Sequence, residues 1–236
     1  MTATTANAPA PPPAIPELPS RYPALDGLRG LAILLVLVHQ FSLLEPQGDV
    51  LSFMFSNISN VGWTGVQLFF ALSGFLITGI LLDTRHAQNY YSGFYARRTL
   101  RIFPLYFIVL AVAFLVVPAI GVVPPKLAAD QPNQIWLWTY TSNWATVMGV
   151  GSKAFPHYWS LAVEEQFYLV WPLLIRSRGP ARCIRFCLGV AVVSLLLRIV
   201  LVWAGTPSEG IYQNSFCRMD ALALGGAAAA ALRIPA

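Results

Sequence analysis

Apolar residues along this chain gather in long runs and do not alternate with polar ones. They occupy residues 28–44, 61–82, 103–123, 158–175, 186–204 and 219–233. A helix crossing a hydrocarbon core about 30 Å thick needs about 20 such residues. The runs at 61–82, 103–123 and 186–204 meet that length, 28–44 is near its lower limit, and 219–233 is short. The stretch 135–147 (IWLWTYTSNWATV) is shorter still and rich in Trp and hydroxyl side chains, the composition of a segment at the interface or re-entering the membrane. The pattern predicts an all-α fold: a polytopic transmembrane helical bundle of about six spans plus one interfacial or re-entrant segment.

Ahead of these runs, residues 1–20 hold six prolines and one charge, Glu17. Such a segment cannot bury a core and is expected to be a disordered cytoplasmic tail, with the membrane domain covering 21–236. No positively charged stretch leads into a short apolar run, so the first helix is expected to be an uncleaved anchor.

Composition closes off other classes. The chain is 56% apolar and 11% charged, against roughly 25% charged for soluble domains. That excludes a soluble enzyme and a wholly disordered chain. The net charge of +5 does not point to nucleic acid, because the basic residues punctuate apolar runs and form no solvated face. Their placement instead fits topology. With a cytoplasmic N-terminus and 135–147 not crossing, Arg21, Arg29, Arg85, Arg97, Arg98, Arg101, Arg176, Arg178, Arg182 and Arg185 all fall inside, while Lys126, Lys153 and Arg218 fall outside. This is the usual cytoplasmic excess of Lys and Arg. Cys183, Cys187 and Cys217 are odd in number and show no ligand spacing; Cys183 and Cys187, four apart, read as one helical face.

Charged groups in mid-membrane cost roughly 2.5–3.5 kcal/mol each on insertion scales, so they are the candidates for function. In HYWSLAVEEQFYLVWPLL, residues 157–174, Glu164 and Glu165 lie in an otherwise apolar helix, and Ser160, Glu164 and Tyr168 recur every fourth residue on one face. That stripe must face protein or a polar cavity; a buried glutamate tying two helices together is the plainer alternative. In FYARRTLRIFPLYF, residues 94–107, Arg97, Arg98 and Arg101 precede Pro104. Pro104 is expected to open a helix, whose free N–H groups together with the forked guanidiniums make an anion site suited to phosphates; anchoring on lipid headgroups is the other reading. In LDGLRGLAILLVLVHQF, residues 25–41, Arg29 sits at the membrane entry and His39 about 15 Å deeper. Its imidazole could take a proton or simply pack. Arg198, within SLLLRIVLVWA, needs a buried partner, for which Glu164 or Glu165 is the expectation.

These segments in order resemble the membrane acyltransferase 3 family, whose members O-acylate cell-surface sugars, lipopolysaccharide, peptidoglycan and glycolipid or antibiotic scaffolds. The resemblance rests on LDGLRGLAILLVLVHQF, GWTGVQLFFALSGFLITGILL, FYARRTLRIFPLYF, YWSLAVEEQFYLVWP and CRMDALALGG. It implies a helical-bundle enzyme of the bacterial inner (plasma) membrane, multi-pass with its N-terminus cytoplasmic. Such an enzyme takes an acyl group from acyl-CoA, a co-substrate and not a bound cofactor, and delivers it to a hydroxyl of a carbohydrate or lipid-linked acceptor. By position, His39, Glu164 and Arg29 are the implied catalytic residues, and Arg97, Arg98 and Arg101 the implied acyl-CoA phosphate site. Glu165, Ser160, Tyr168, Arg198 and Asp220 support them; no metal or nucleic acid is expected, and membrane lipid is a partner throughout.

Two positions depart from the family pattern. Nine residues separate Arg29 from His39 where ten are usual, which turns His39 about 80° from the face of Arg29 on a regular helix. Gln67 stands where an acidic residue is usual. Relatives in the family are also longer, so the acyltransferase domain is expected to be incomplete, finished by a missing C-terminal half or a second subunit. The rival functional readings are a membrane transporter and an inactive fragment or assembly partner of an acyltransferase.

Overall fold

The computed structural model describes residues 23–41 and 63–234; the expected tail at 1–20 lies outside the described residues. Among the described residues there is no strand, and a helix stands at each of the six expected places. These are α1 (Pro23–Phe41), α2 (Trp63–Asp83), α3 (Tyr90–Ala111), α7 (Tyr158–Ile175), α8 (Pro180–Trp203) and α10 (Ser215–Ala231), with short helices α4 (Pro125–Asp130), α5 (Ile135–Trp138), α6 (Ser142–Val147) and α9 (Ser208–Gln213) between them.

Three of these helices are long and apolar enough to cross a membrane: Thr64–Asp83, Tyr90–Ala119 and Pro180–Trp203. With 18 residues α7 reaches spanning length, but its two glutamates dilute its apolarity. The 17 residues of α10 sit at the lower limit for a span. The stretch 135–147 forms no single span. It breaks into α5 and α6 at Tyr140, the one non-glycine with positive φ (54°) among the described residues, and helices of four and six residues are too short to cross.

The third helix corrects an expectation. It begins at Tyr90, so Pro104 lies in its interior and does not open it. A pyrrolidine removes one N–H, and membrane helices tolerate that loss. Here burial of Tyr90, Phe94, Tyr106 and Leu110 holds the helix on both sides of the proline. Beyond Ala111 it continues through a wider π turn, Val112–Val116, to Ala119. The three arginines therefore sit on a helix flank, and no free helix N-terminus accompanies them.

Small residues set the tightest packing. A Cβ built on Gly74 of α2 would fall 1.9 Å from the Leu222 carbonyl oxygen, and one on Gly225 of α10 would fall 1.9 Å from that of Ala71. The backbones of α2 and α10 thus touch where any side chain would force them apart, the small-residue device by which membrane helices associate. Gly65 of α2 meets the Ala32 carbonyl of α1 in the same way, with 2.7 Å to its Cβ position. At the far ends of α2 and α10, Arg233 grips Asp83 through two 2.6 Å contacts. Cys183 and Cys187 lie buried on one face of α8 with sulfurs 3.9 Å apart, in hydrogen-bond contact and not joined as a disulfide.

Gly74→Val and Gly225→Val should each lower the melting temperature of the purified protein by several degrees, since overpacking typically costs about 1–3 kcal/mol. Gly30→Ala, whose Cβ position meets nothing within 4 Å, should leave it unchanged. Melting of Gly74→Val at the native temperature would contradict the α2–α10 contact.

Candidate active site

Two tyrosines of α3 set its register on α7. Tyr90 donates to the Pro172 carbonyl at 3.0 Å and Tyr95 to that of Leu169 at 2.7 Å. Residue number rises on one helix as it falls on the other, so the two run antiparallel. The next turn of α3 then brings Arg98 over the Tyr168 ring, with Cζ 4.4 Å from its centroid. Such a contact contributes about 0.5–2 kcal/mol, most where water is excluded.

Glu164 lies one turn before Tyr168 and is 5% exposed. Around it stand the hydroxyls of Ser73 and Tyr168 and the guanidiniums of Arg29 and Arg98. Tyr168 donates to Ser73 at 3.3 Å, joining α7 to α2. Arg29 of α1 lies over Phe69 of α2, 5.4 Å from its centroid. Four helices therefore converge on one carboxyl group, and its Oε1 is buried with no hydrogen-bond partner. Two guanidiniums of opposite charge and two hydroxyls offset part of the cost of burying a carboxylate, while the orphan oxygen stays open to a further donor.

Arg98 also belongs to a second feature. With Arg97 and Arg101 it lines a cavity of about 550 Å³ walled by Ile80, Phe94 and Leu100. Arg97 and Arg101 are exposed and Arg98 is half-buried. Any anion held here would be bound by side chains alone.

Glu165 lies within electrostatic reach of Glu164 and Arg98 and also of Tyr106 and Tyr140. Those rings stack at 4.0 Å, and Tyr158 closes the group 4.9 Å from Tyr106. Burial first, then the Glu165 charge, push the Tyr140 phenol above its ordinary range, and its oxygen is buried without a partner.

Of the expected stripe, only Glu164 and Tyr168 act together, because the Ser160 hydroxyl turns back to the His157 carbonyl at 3.0 Å. A serine in the first helical turn finds that acceptor locally. Arg198 is corrected too. Its partner is Asp220 at 2.6 Å, with the Cys217 carbonyl at 2.6 Å, and neither Glu164 nor Glu165 takes part. The close α8–α10 packing puts Asp220 within reach. His39 belongs to α1, but its side chain lies outside the described residues, so its relation to Glu164 carries over as an expectation.

The sequence reading missed Ser73, whose small hydroxyl inside an apolar run carries no signal, and a buried amide network. Gln166 donates to the Tyr140 carbonyl and to Asn143, both at 2.9 Å, and accepts from Ser215 at 2.5 Å and Trp144 at 3.3 Å. This network pins α6 against α7 and α10. The Asn143–Trp144 pair among hydroxyls was its sequence trace. Asp130 was missed as well; it ties the loop before α7 by accepting from Ser152, Lys153 N and Ala154 N at 2.6–2.8 Å.

Burial lowers the pKa of His157, just ahead of α7, below its ordinary 6.5, and its Nδ1 has no partner. Above pH 6.5 both folded and unfolded forms are neutral there. As pH falls below 6.5 the unfolded chain takes the proton first, so the folded state loses stability. The melting temperature should fall between pH 7 and pH 5 more steeply in the native protein than in His157→Gln; parallel curves would contradict the assignment.

The chain resembles known proteins along most of its length. Residues 22–233 match the acyltransferase domain model of the acyltransferase 3 family. Peptidoglycan O-acetyltransferase OatA of Listeria monocytogenes is 30% identical over 211 residues, covering 83% of this chain and 32% of that protein. O-acetyltransferase OatA of Staphylococcus aureus is 28% identical over 222 residues, covering 88% and 34%. A putative peptidoglycan O-acetyltransferase of Bacillus subtilis, YrhL, is 29% identical over 228 residues, covering 89% and 33%. The chain thus spans about a third of the length of these curated relatives. No solved structure matches it.

Proposed function

Because the chain belongs to the acyltransferase 3 family, a family of membrane acyltransferases, we propose that it moves an acetyl or related acyl group from acyl-CoA to a hydroxyl of a cell-envelope carbohydrate. The observation that carries this reading is the double placement of Arg98. It lines the three-arginine cavity and also lies over Tyr168 beside the buried Glu164. An anionic donor in that cavity would have its neutral, reacting end within reach of the carboxyl cluster.

In this mechanism Arg97, Arg98 and Arg101 hold the donor's phosphates by charge-assisted contacts. His39 takes the proton of the acceptor hydroxyl, a step generally worth about 10²–10⁴ in rate. The hydroxyl oxygen forms the new ester bond at the thioester carbonyl, the carbon–sulfur bond breaks, and the proton passes from His39 to the departing thiolate. The open Glu164 oxygen orients the acceptor or the histidine, and Arg29 and Arg98 keep the carboxyl in place. The peptidoglycan named in two relatives makes a glycan polymer of the envelope the acceptor of choice. The arginine-rich ends would then face the cytoplasm of a bacterial inner membrane, where acyl-CoA is found, with the N-terminus on that side. Segments from the rest of a longer chain, or from a second subunit, would complete the bundle.

The test is acetyl transfer from radiolabelled acetyl-CoA to peptidoglycan fragments in vesicles carrying the full-length protein. Arg101→Ala should raise KM for acetyl-CoA about tenfold with little change in kcat, as expected for loss of one charge-assisted contact. Glu164→Gln should lower kcat by about 10² or more. Full activity in His39→Ala would remove its role as base, and substrate flux without thioester consumption would overturn the enzyme reading in favour of transport.

A further inference from the structure

Two hydroxyls of α2 are buried against α7, and they differ in what they can do. Ser73 is 1% exposed and Thr78 is fully buried. Thr78 accepts from the Trp171 indole N–H at 2.8 Å, and Ser73 accepts from the Tyr168 O–H at 3.3 Å. Both bonds tie the same pair of helices. An indole only donates, so nothing continues beyond Trp171, whereas a phenol and a serine each donate and accept. The bond at Ser73 can therefore be one link of a longer chain.

Tyr168 is the donor in that link, which leaves the proton of Ser73 to be placed. Inside a helix its usual acceptor is the carbonyl of the preceding turn. Thr84 bonds that of Ile80 at 2.7 Å, and Ser160 bonds that of His157 at 3.0 Å. Among the described residues Ser73 makes no such local bond, and the acceptor within its reach is the Glu164 carboxyl.

A glutamate carboxyl is a broad, roughly twofold rotor about its last torsion. The direction of its free oxygen, Oε1, is thus set by the hydrogen bonds the group accepts. Arg29 and Arg98 are long side chains laid over rings, 5.4 and 4.4 Å from the centroids, and they offset charge. Tyr168 shares a helix with Glu164 and moves with it. Ser73 comes from a different helix, and the next residue, Gly74, is locked in backbone contact with Leu222 of α10. Of the groups around the carboxyl, Ser73 is the short donor carried by the tightly packed α2–α10 pair.

We propose that Ser73 is a positioning residue of the acyl-transfer site, a role that rests on the reaction proposed above. Held by Tyr168 and anchored through α2, its hydroxyl donates to Glu164 and fixes the direction in which the open oxygen meets the acceptor hydroxyl or the histidine. Ser73 itself touches no substrate. Without it the Tyr168 proton is free to turn to Glu164, the carboxyl follows its own helix, and Oε1 loses its aim.

The test is the vesicle assay of acetyl transfer by the full-length protein, with the melting of each variant measured alongside. Ser73→Ala should lower kcat about tenfold, the effect of about one hydrogen bond, and leave KM for acetyl-CoA unchanged. Ser73→Thr keeps the hydroxyl and should hold kcat within about threefold of the native value. Thr78→Val removes the other hydroxyl bond between α2 and α7 and leaves the Glu164 group intact; it should lower the melting temperature and preserve kcat. In the Glu164→Gln background, Ser73→Ala should lower kcat no further, because a residue that acts through another loses its effect once that other is changed.

Native kcat in Ser73→Ala overturns the proposal. So does an equal fall in kcat for Ser73→Ala and Thr78→Val, which would make the hydroxyl a packing group, or the same factor lost with and without Glu164. If Ser73→Ala fails to fold, Ser73→Cys, which keeps a side chain of similar size and leaves only a weak donor, is read in its place. Absence of transfer by the native protein would remove the proposed reaction and this role with it, whereas native transfer with an unaffected Ser73→Ala would remove the role alone.

Discussion

A carboxyl group taken out of water into a lipid-embedded bundle must be compensated nearby, and that requirement organises the described helices around Glu164. At 5% exposure it has no bulk solvent to rely on. Its compensation comes from four elements: Arg29 on α1, Ser73 on α2, Arg98 on α3 and Tyr168 on its own helix. Each is fixed by something else. Tyr90 and Tyr95 set the register of α3 on α7, Arg29 leans on Phe69, and the glycines of α2 bring α1 and α10 to backbone contact. A half-compensated buried charge is costly in stability; here the uncompensated part is a single buried oxygen, Oε1.

Much of this was legible in the sequence, because the membrane imposes a simple rule. Helix must satisfy its own backbone, and charge must be expelled or paired. Long apolar runs therefore gave the helices, and Glu164, Arg29 and Arg98 stood out against them. What stayed hidden was pairing across space. Arg198 finds Asp220 because α8 packs on α10, which no periodicity within either helix reveals. The helix through Pro104 was misread at its start because a proline both opens helices and survives inside buried ones. Ser160 and Tyr168 look equivalent by spacing, yet only Tyr168 faces a neighbouring helix, and a free local carbonyl captured Ser160.

The same geometry separates two tasks on α7. The side of Glu164 meets α2 and the arginines, and the side of Gln166 anchors α6 and α10 through a saturated amide network. The network holds the break at Tyr140 in place, so the strained backbone there is supported by its neighbours. With about a third of the length of its curated relatives, the chain contains the family's acyltransferase domain match, and within it the arginine cavity, the buried carboxyl and the aromatic group beside Glu165 lie in succession along α3 and α7.

The dependence of the bundle on one charge cluster is measured most directly by a double-mutant cycle in lipid nanodiscs, with Arg98→Met and Glu164→Gln made singly and together and thermal unfolding as the readout. If the guanidinium compensates the carboxyl, Arg98→Met costs at least about 1 kcal/mol less in the Glu164→Gln background than in the native protein. Strictly additive costs would show that the two groups do not interact, and the account of the site would be wrong.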